Sequence, residues 1–192
     1  MFKIAVLVSG GGSNLQSILD NENHGKLYKV THIIADRECF GIERGKQFGI
    51  EGKIFDRKLY KENISDEIHN FLGDKVDLVV LAGFLSILEG KFIEERKEKI
   101  INIHPSLLPK FGGPGMFGMR IHRAVIESKE KESGCTVHYV DSGVDTGKII
   151  EQIKVKVEED DTPETLQKKV LVEEHKLLPK AIEKLAKINN EK

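Results

Sequence analysis

The sequence predicts an α/β fold with one domain, built on a mostly parallel, Rossmann-like sheet that carries helices on both faces. Up to residue 103, short apolar runs alternate with segments of helical spacing, and such alternation is typical of a parallel sheet covered by helices. From Gly134 the pattern changes to two strand-like runs joined by a loop rich in Gly and Asp, which predicts a mixed or antiparallel C-terminal extension. The 192 residues fit a single domain, 1–192, because domains usually span about 100–200 residues.

The elements of the first half follow from apolar spacing. Strands are predicted at 3–9, 30–35, 52–55, 76–82 and 100–103, and helices at 13–20, 43–48, 65–72 and 92–99. Ser65 is a possible N-cap of its helix, and Gly73 follows the end of that helix.

The C-terminal half is predicted as strands at 136–140 and 149–157, followed by a helix over 162–187. Thr162 suits the N-cap and Pro163 the first helical position, whereas Pro179 should kink or break the helix. The stretch 110–119, KFGGPGMFGM, is expected to be a mobile loop because it is rich in glycine.

Composition limits the class of protein. The net charge of −1 lacks the basic footprint of a nucleic-acid binder, and no apolar run reaches the ~18 residues that would span a membrane. We expect small-molecule substrates as partners, a cytoplasmic location, and a monomer or homodimer. Charged residues make up 32% of the chain, which indicates either a well-solvated surface or ion-pair networks adapted to heat.

Several chemistries find no support in the sequence. Cys39 and Cys135 form no CxxC pair and are expected to be free thiols. The seven histidines are scattered without a metal-binding motif, so we expect no metal. A serine nucleophile is not indicated either, because G-x-S-x-G is absent.

A glycine-rich loop, Ser9-Gly10-Gly11-Gly12-Ser13-Asn14, separates the first strand from the first helix. Glycines allow close approach to the backbone and a helix start offers unpaired N–H groups, so the loop suits an anion such as phosphate. The dinucleotide fingerprint is broken because Leu15 stands where its third glycine belongs. A tight turn with a serine cap explains the same residues, and both explanations stay open.

The segment Asn102-Ile103-His104-Pro105 ends a predicted parallel strand. Side chains two apart on a strand share a face, so Asn102 and His104 should point together at the carboxyl edge, where ligands bind in open α/β sheets. An amide donor and an imidazole suit an oxygen that gains negative charge. The alternative is a buried histidine beside a structural asparagine, and the paired spacing favours the site.

The loop 141–147 contains two acids among glycines. Turn formation explains Asp141. Asp145 is functional only if the fold brings it to His104, where a negative charge would favour the imidazolium, and spacing does not establish that approach. His138, just before this loop, is expected to support the site without acting in the chemistry.

Several segments in this order resemble the folate-dependent glycinamide ribonucleotide formyltransferases of purine synthesis. The matching segments are 8–16 (VSGGGSNLQ), 81–84 (LAGF), 102–109 (NIHPSLLP), 136–147 (TVHYVDSGVDTG) and Glu174-His175. The resemblance covers nearly the whole chain. The Asn-x-His-Pro-Ser segment is shared by several enzymes that use formyl-tetrahydrofolate, whereas the Ser-Gly-x-Gly-Ser-Asn loop is more particular and points to the phosphoribosyl substrate.

The resemblance implies transfer of a formyl group from 10-formyltetrahydrofolate, as co-substrate, to the amine of 5-phosphoribosylglycinamide. Asn102 and protonated His104 would stabilise the tetrahedral oxyanion, while Asp145 would keep His104 charged and organise water. The N-terminal part would bind the phosphoribosyl substrate through Gly12, Ser13, Asn14 and Glu174. The C-terminal part would bind folate, and the implied folate residues are Arg57, Leu85, Ser86, Ile87, Leu88, Asn102, Val140 and Asp141.

The chain departs from that family at two places. Many members carry Arg where this chain has Ser86, so a side-chain contact there is in question, while backbone recognition of the pterin could persist. Many also have a short Pro-Gly link where this chain has the longer, glycine-rich 111–119. We interpret that segment as a variant lid over the substrate.

Four other functions are considered. A formyltetrahydrofolate hydrolase is expected to carry an additional N-terminal domain, and a transfer-RNA formyltransferase a second domain and a basic face. A sugar-nucleotide formyltransferase would lack the phosphate loop. A non-catalytic phosphate-binding module would not require Asn102, His104 and Asp145 together.

Overall fold

The computed structural model describes residues 1–191, and its centre is a seven-stranded sheet. The strands are β1 (Phe2–Val8), β2 (Tyr28–Ala35), β3 (Gly52–Ile54), β4 (Leu78–Leu81), β5 (Ile100–His104), β6 (Glu132–Tyr139) and β7 (Ile149–Lys156). Their order is β3-β2-β1-β4-β5-β6-β7. The first five pair in parallel, and β6 and β7 continue the sheet antiparallel. The predicted α/β fold with its C-terminal extension is confirmed.

The helices lie on both faces of this sheet. They are α1 (Ser13–Leu19), α2 (Phe40–Lys46), α3 (Arg57–Tyr60), α4 (Ile64–Leu72), α5 (Lys91–Glu94), α6 (Met119–Glu127) and α7 (Pro163–Asn190). Successive side chains of β1 point to opposite faces of the sheet. Ile4 and Val6 pack into a hydrophobic cluster with α1 and α7 on one face. Ala5 and Leu7 pack into a second cluster with α4 and α5.

The helix boundaries differ from the prediction where sequence spacing is weak. Helix α2 begins at Phe40, three residues before the predicted start, and α5 ends at Glu94 instead of 99. Helices α3 and α6 were absent from the prediction. Helix α6 follows directly on the glycine-rich stretch and is held by Ile121 and Val125, which are fully buried one turn apart.

Two local predictions are wrong for identifiable reasons. Ser65 lies inside α4, where Asn63 is the N-cap, and its hydroxyl instead accepts a hydrogen bond from Glu89 N at 3.1 Å. Pro179 does not break α7, which is continuous from Pro163 to Asn190. A proline removes one helical hydrogen bond, but Pro179 is buried between Leu178 and Ala181, so packing against the sheet keeps the helix intact. The Thr162 cap with Pro163 is confirmed.

The strand order places a crevice at the carboxyl ends of β1 and β4. The chain moves outward in opposite directions from these two neighbours, and ligands of open α/β sheets bind where the order reverses in this way. The glycine loop follows β1, and the segment containing Gly83 and Leu85 follows β4. Helices of the length and apolar character needed to cross a bilayer are not found among residues 1–191.

Candidate functional site

Strand β5 presents Asn102 and His104 beside β4 and opposite β6. The antiparallel register pairs Asn102 with His138 and His104 with Thr136. Because β5 ends at His104, both side chains lie at the carboxyl edge of the parallel part of the sheet. His104 is 5% exposed, so its imidazole is largely shielded from bulk water.

A hydrogen bond fixes the Asn102 amide against His138. The His138 Nδ1 lies 2.8 Å from Tyr139 O, and a carbonyl only accepts, so Nδ1 donates. In the neutral ring Nε2 therefore accepts from Asn102 Nδ2, at 3.1 Å. Burial lowers the pKa of His138, against the raising effects of Tyr139 O and Asp145, which favours this neutral form. His138 thus orients Asn102.

The fold brings Asp145 into this cluster from a loop. Its Oδ2 lies 3.5 Å from His104 Nδ1 and its Oδ1 lies 3.7 Å from His138 Nε2. Asp145 adopts φ 58°, a left-handed conformation that is uncommon for residues other than glycine and clusters at functional sites. Asp141 shapes the loop by accepting hydrogen bonds from Gly143 N and Thr146 Oγ1.

The glycine-rich segment after β5 closes over His104 and Asp145. His104 Nε2 lies 2.9 Å from Phe111 O and must donate to it, while Gly113 N donates to Asp145 Oδ2 at 3.0 Å. A Cβ on Gly112 would overlap Leu108 Cδ2 and lie 3.4 Å from Asp145 Cβ, so the segment needs glycine here. Its mobility stays a prediction, but its backbone contacts two of the three predicted catalytic residues.

The glycine loop after β1 is shaped by close backbone packing. Gly12 has φ 68° and caps α1, and a Cβ there would lie 2.7 Å from Gly41 Cα. Arg44 crosses beside the loop, donating from Nε to Gly11 O at 2.6 Å and from Nη1 to Gln16 Oε1 at 2.9 Å. The loop therefore combines exposed backbone with a fixed cation, which suits an anion.

Asn14 and Glu174 meet across 160 residues of sequence. Asn14 Nδ2 donates to Glu174 Oε2 at 2.7 Å, and Asn14 Oδ1 is buried without a hydrogen-bond partner within residues 1–191. Burial raises the pKa of Glu174, although the hydrogen bond from Asn14 opposes the shift. Two of the residues predicted for the phosphoribosyl substrate are thus in direct contact.

The segment after β4 bends toward β1 and β2. Leu85 N donates to Ser9 Oγ at 2.8 Å and Ser86 Oγ donates to Asp36 Oδ2 at 2.6 Å. Leu85 and Ile87 are 50% and 72% exposed, so they could contact a ligand. The side chain of Ser86 points inward, which leaves its backbone for recognition.

The other predicted folate residues occupy varied surroundings. Leu88 is buried in the α4–α5 cluster and Val140 packs against that cluster, so both support the predicted folate site from the hydrophobic core. Arg57 is exposed at the start of α3, and its N donates to Asp36 O at 2.9 Å. The Asp141 carboxylate is engaged within its own loop.

Sequence reasoning missed three residues beside the site. Arg44 lies within α2, where no motif marks it, whereas Asp36 directly follows β2 at the carboxyl edge, a position that could have been recognised. His122 on α6 is buried near His104, and burial followed by the nearby His104 lowers its pKa to about 4. Across residues 1–191, His, Cys, Asp and Glu side chains form no group of three or more that could hold a metal.

Several known proteins are similar to this chain in sequence and in fold. Residues 2–182 match the Formyl transferase family. The chain is 41% identical to phosphoribosylglycinamide formyltransferase, chloroplastic, of Vigna unguiculata, over 95% of this chain and 60% of that protein. The glycinamide ribonucleotide transformylase 1 structure from Symbiobacterium toebii superposes with a TM-score of 0.89 at 39% identity, covering 97% of this chain and 88% of that one. The phosphoribosylglycinamide formyltransferase structure from Brucella melitensis gives 0.87 at 36%, covering 96% and 95%. The chain spans 60–62% of the plant relatives' length.

Proposed function

Because this chain belongs to the formyl transferase family, we propose that it transfers the formyl group of 10-formyltetrahydrofolate to the amine of 5-phosphoribosylglycinamide. The products are formylglycinamide ribonucleotide and tetrahydrofolate, in de novo purine synthesis. The observation that carries the proposal is the approach of Asp145 to 3.5 Å from His104 Nδ1. That approach joins a loop acid to the Asn–His pair at one edge of the sheet.

The acceptor is a phosphorylated amine. Gly12, Ser13 and Asn14 bind its phosphate through the backbone and side chains of the loop, assisted by the charge of Arg44. Glu174 binds the ribose or glycinamide end, since its contact with Asn14 places it next to the loop. The direct Asn14–Glu174 contact supports these assignments.

The reaction begins when the neutral amine attacks the formyl carbon. A C–N bond forms and the carbonyl oxygen becomes an oxyanion. An N–H of Asn102 that is not used for His138 and the Nδ1–H of His104 stabilise that oxygen. The intermediate then collapses, the bond to N10 of the folate breaks, and the proton lost by the attacking nitrogen passes through water, organised by Asp145, to N10.

The contact with Phe111 O supports this orientation of His104. The carbonyl accepts from Nε2–H, and the Nδ1 atom on the other side of the ring faces Asp145 Oδ2 at 3.5 Å. Since Nε2–H is used by Phe111 O, the mechanism requires a proton on Nδ1 when the amine attacks.

The folate co-substrate lies along the segment 85–88 and the loop that begins at Val140 and Asp141. The exposed side chains of Leu85 and Ile87 support this position, as does the inward anchoring of Ser86. Arg57 contributes a cation at the same edge, and we assign no metal to the reaction. A cytoplasmic location is part of the proposal, although the plant relatives are named chloroplastic.

An assay with a formyl-folate donor tests the proposal. Release of the deformylated folate is followed spectroscopically, with and without 5-phosphoribosylglycinamide. Transfer predicts turnover only when the amine is present. Turnover without the amine would instead indicate a hydrolase, and binding of both ligands without turnover would indicate a phosphate-binding module.

A further inference from the structure

Arg96 is a buried cation at the amino edge of the sheet, on the side opposite the candidate functional site. It lies in the turn between α5 and β5, and only 6% of its surface is exposed. Lys99 N donates to Arg96 O at 2.9 Å and Val79 N donates to Lys99 O at 2.8 Å. The turn that carries Arg96 is therefore tied to β4, and the position of its backbone is fixed.

The guanidinium of Arg96 has few partners for a buried charge. Nη2 donates to Gly73 O at 2.5 Å, and the group lies over Phe92, with 5.4 Å between Cζ and the ring centroid. Nε is buried without a hydrogen-bond partner in the part of the chain that the structure describes. Burial lowers the pKa of Arg96, although the charges of Asp74 and Glu95 raise it. Arginine stays protonated at neutral pH despite such a shift, so the positive charge is retained.

The acids around this guanidinium do not neutralise it. Asp74 and Glu95 act on it only from beyond ion-pair distance, and Glu95 Oε2 instead lies 3.3 Å from His69 Nε2. Asp77 Oδ2 accepts from a backbone N–H of β1 at 2.7 Å. A buried charge is costly unless a counter-charge or polar group compensates it. Arg96 can therefore accept one more anion.

Arg96 lines a cavity of about 330 Å³. The walls come from the end of α4, the turns before β4 and β5, and Asn189 near the end of α7. Lys99 contributes a second, exposed cation. Ligand sites usually measure about 300–1,000 Å³, so this volume suits a small molecule. The planar fork of a guanidinium matches the two oxygens of a carboxylate.

The charges around the cavity favour an anion with a single charge. Three acids, Asp74, Asp77 and Glu95, line it together with the cations Arg96 and Lys99. Repulsion from the acids grows in proportion to the charge of the ligand. A doubly charged phosphate is therefore disfavoured relative to a carboxylate.

We propose that this cavity binds a small carboxylate, which pairs with the guanidinium of Arg96 and lies near Lys99. The site is separate from the formyl-transfer residues, because Asn102 and His104 lie at the carboxyl edge of the sheet and Arg96 at the amino edge. The proposal does not depend on the proposed function, and each can fail without the other.

Acetate is the probe, and the resonance of the Arg96 Nε–H group reports binding at this site alone. Nε is buried, so its proton is shielded from water and should appear in a proton–nitrogen correlation spectrum, where its absence in Arg96→Met assigns it. Acetate added at neutral pH, with sodium chloride keeping the ionic strength constant, should shift this resonance. Half-saturation is expected at about 1–10 mM, as for one bidentate charge-assisted contact. Phosphate should shift it less.

Thermal stability gives a second readout. Acetate at about ten times its Kd should raise the Tm of the unaltered chain by about 3–5 °C. Arg96→Met should remove this rise, and without acetate its Tm should equal or exceed that of the unaltered chain, because an apolar side chain relieves the cost of the buried charge. Lys97→Met, which removes an exposed cation beside Arg96, should keep the rise. Asp74→Asn should tighten acetate binding by about 2- to 5-fold, because it removes a repulsive charge.

Other outcomes would overturn the assignment. An Arg96 resonance that does not move up to about 100 mM acetate, well above the expected Kd, would show that no carboxylate binds. A larger response to phosphate would exclude a carboxylate as the preferred ligand. A lower Tm in Asp74→Asn, without a response to acetate, would identify Asp74 as the counter-charge of Arg96. If Arg96→Met does not fold, Arg96→Lys decides, because it keeps the charge but loses the fork and should show a smaller rise in Tm with acetate.

Discussion

The two ends of the site lie on the same edge of the sheet but are built by different means. Around β5, side chains contact one another: Asn102 binds His138 on the paired strand β6, and His104 contacts Asp145 from the loop that follows β6. At the end of β1 the shape comes from the backbone, because Gly12 adopts φ 68° and packs against Gly41. The first arrangement holds hydrogen-bond donors in position. The second shapes the backbone of the glycine loop 9–14, which we call the cradle.

That difference separates the effects expected from substitutions. Groups that contact the developing oxyanion act in the transition state, so their loss lowers kcat. A cradle that holds an unreactive phosphate binds substrate and transition state alike, so its loss mainly raises KM. Substitutions at the two ends of the site should therefore differ in whether they lower kcat or raise KM.

The largest effect is expected at the His104–Asp145 pair. His104→Ala should lower kcat by about 10²–10³-fold, because removal of one oxyanion donor typically costs that much, and Asp145→Asn should cost a similar amount, because Asp145 faces His104 Nδ1 and organises the water for proton transfer. Binding of 5-phosphoribosylglycinamide, measured by calorimetry, should be nearly unchanged. Near-normal turnover in either variant would exclude the substituted residue from the mechanism.

The cradle should respond to Gly12→Ala with a rise in KM. A Cβ would lie 2.7 Å from the backbone of Gly41, and the left-handed conformation costs a non-glycine residue roughly 1–2 kcal/mol. We expect KM for 5-phosphoribosylglycinamide to rise by about 10-fold or more with a smaller change in kcat, and Tm to fall. Gly10→Ala, where a Cβ meets nothing within 4 Å, controls for the Tm effect. A fall in kcat alone would contradict the division.

The glycine-rich segment over His104 positions the catalytic residues through its backbone, and a substitution at Gly112 tests this role. Gly112→Ala would overlap Leu108 Cδ2 and press on Asp145, so it should displace Phe111 O and Gly113 N. We expect kcat to fall by roughly 10-fold, since a small misplacement of a reacting group can cost 10²-fold. Adding Leu108→Val removes the overlapping methyl and should recover part of the loss. A Gly112→Ala variant with unchanged kcat would show that the segment does not position His104.

The parts of the site that could be predicted from sequence are those that depend on strand geometry. The alternation of β5 places Asn102 and His104 on one face, and the strand's end places them at the edge. Asp145 could not be placed from spacing because its loop is positioned by Asp141 and by Gly113, neither of which has a periodic signal. The contact of Asn14 with Glu174 depends on how α7 packs on α1, which only the fold determines.

The fold was predictable to the same extent. Buried strands such as β4 stand out as apolar runs, so the order of elements and the antiparallel extension follow from the sequence. Helix ends were less predictable: α5 stops early, and α7 continues through Pro179 because buried neighbours compensate for the missing hydrogen bond. Ser86 shows a third limit, since its partner Asp36 lies 50 residues away in sequence.

The smallest effect is expected at Glu174, a buried acid that accepts a hydrogen bond from Asn14 of the cradle. Burial raises the pKa of this carboxyl above its ordinary value of 4.5, so its contribution to stability is full at low pH and is lost as pH rises. Glu174→Gln keeps an oxygen that accepts from Asn14 Nδ2 and removes the buried charge. Its Tm should therefore equal that of the unaltered chain near pH 5 and exceed it by about 2–4 °C at pH 8, the shift that one kcal/mol gives in a chain of this size. Differential scanning calorimetry between these pH values measures the difference.

The same variant should raise KM for 5-phosphoribosylglycinamide, because the amide carries no charge for the ribose or amine. A Tm difference that shrinks with rising pH would contradict the raised pKa, and an unchanged KM would remove Glu174 from the cradle.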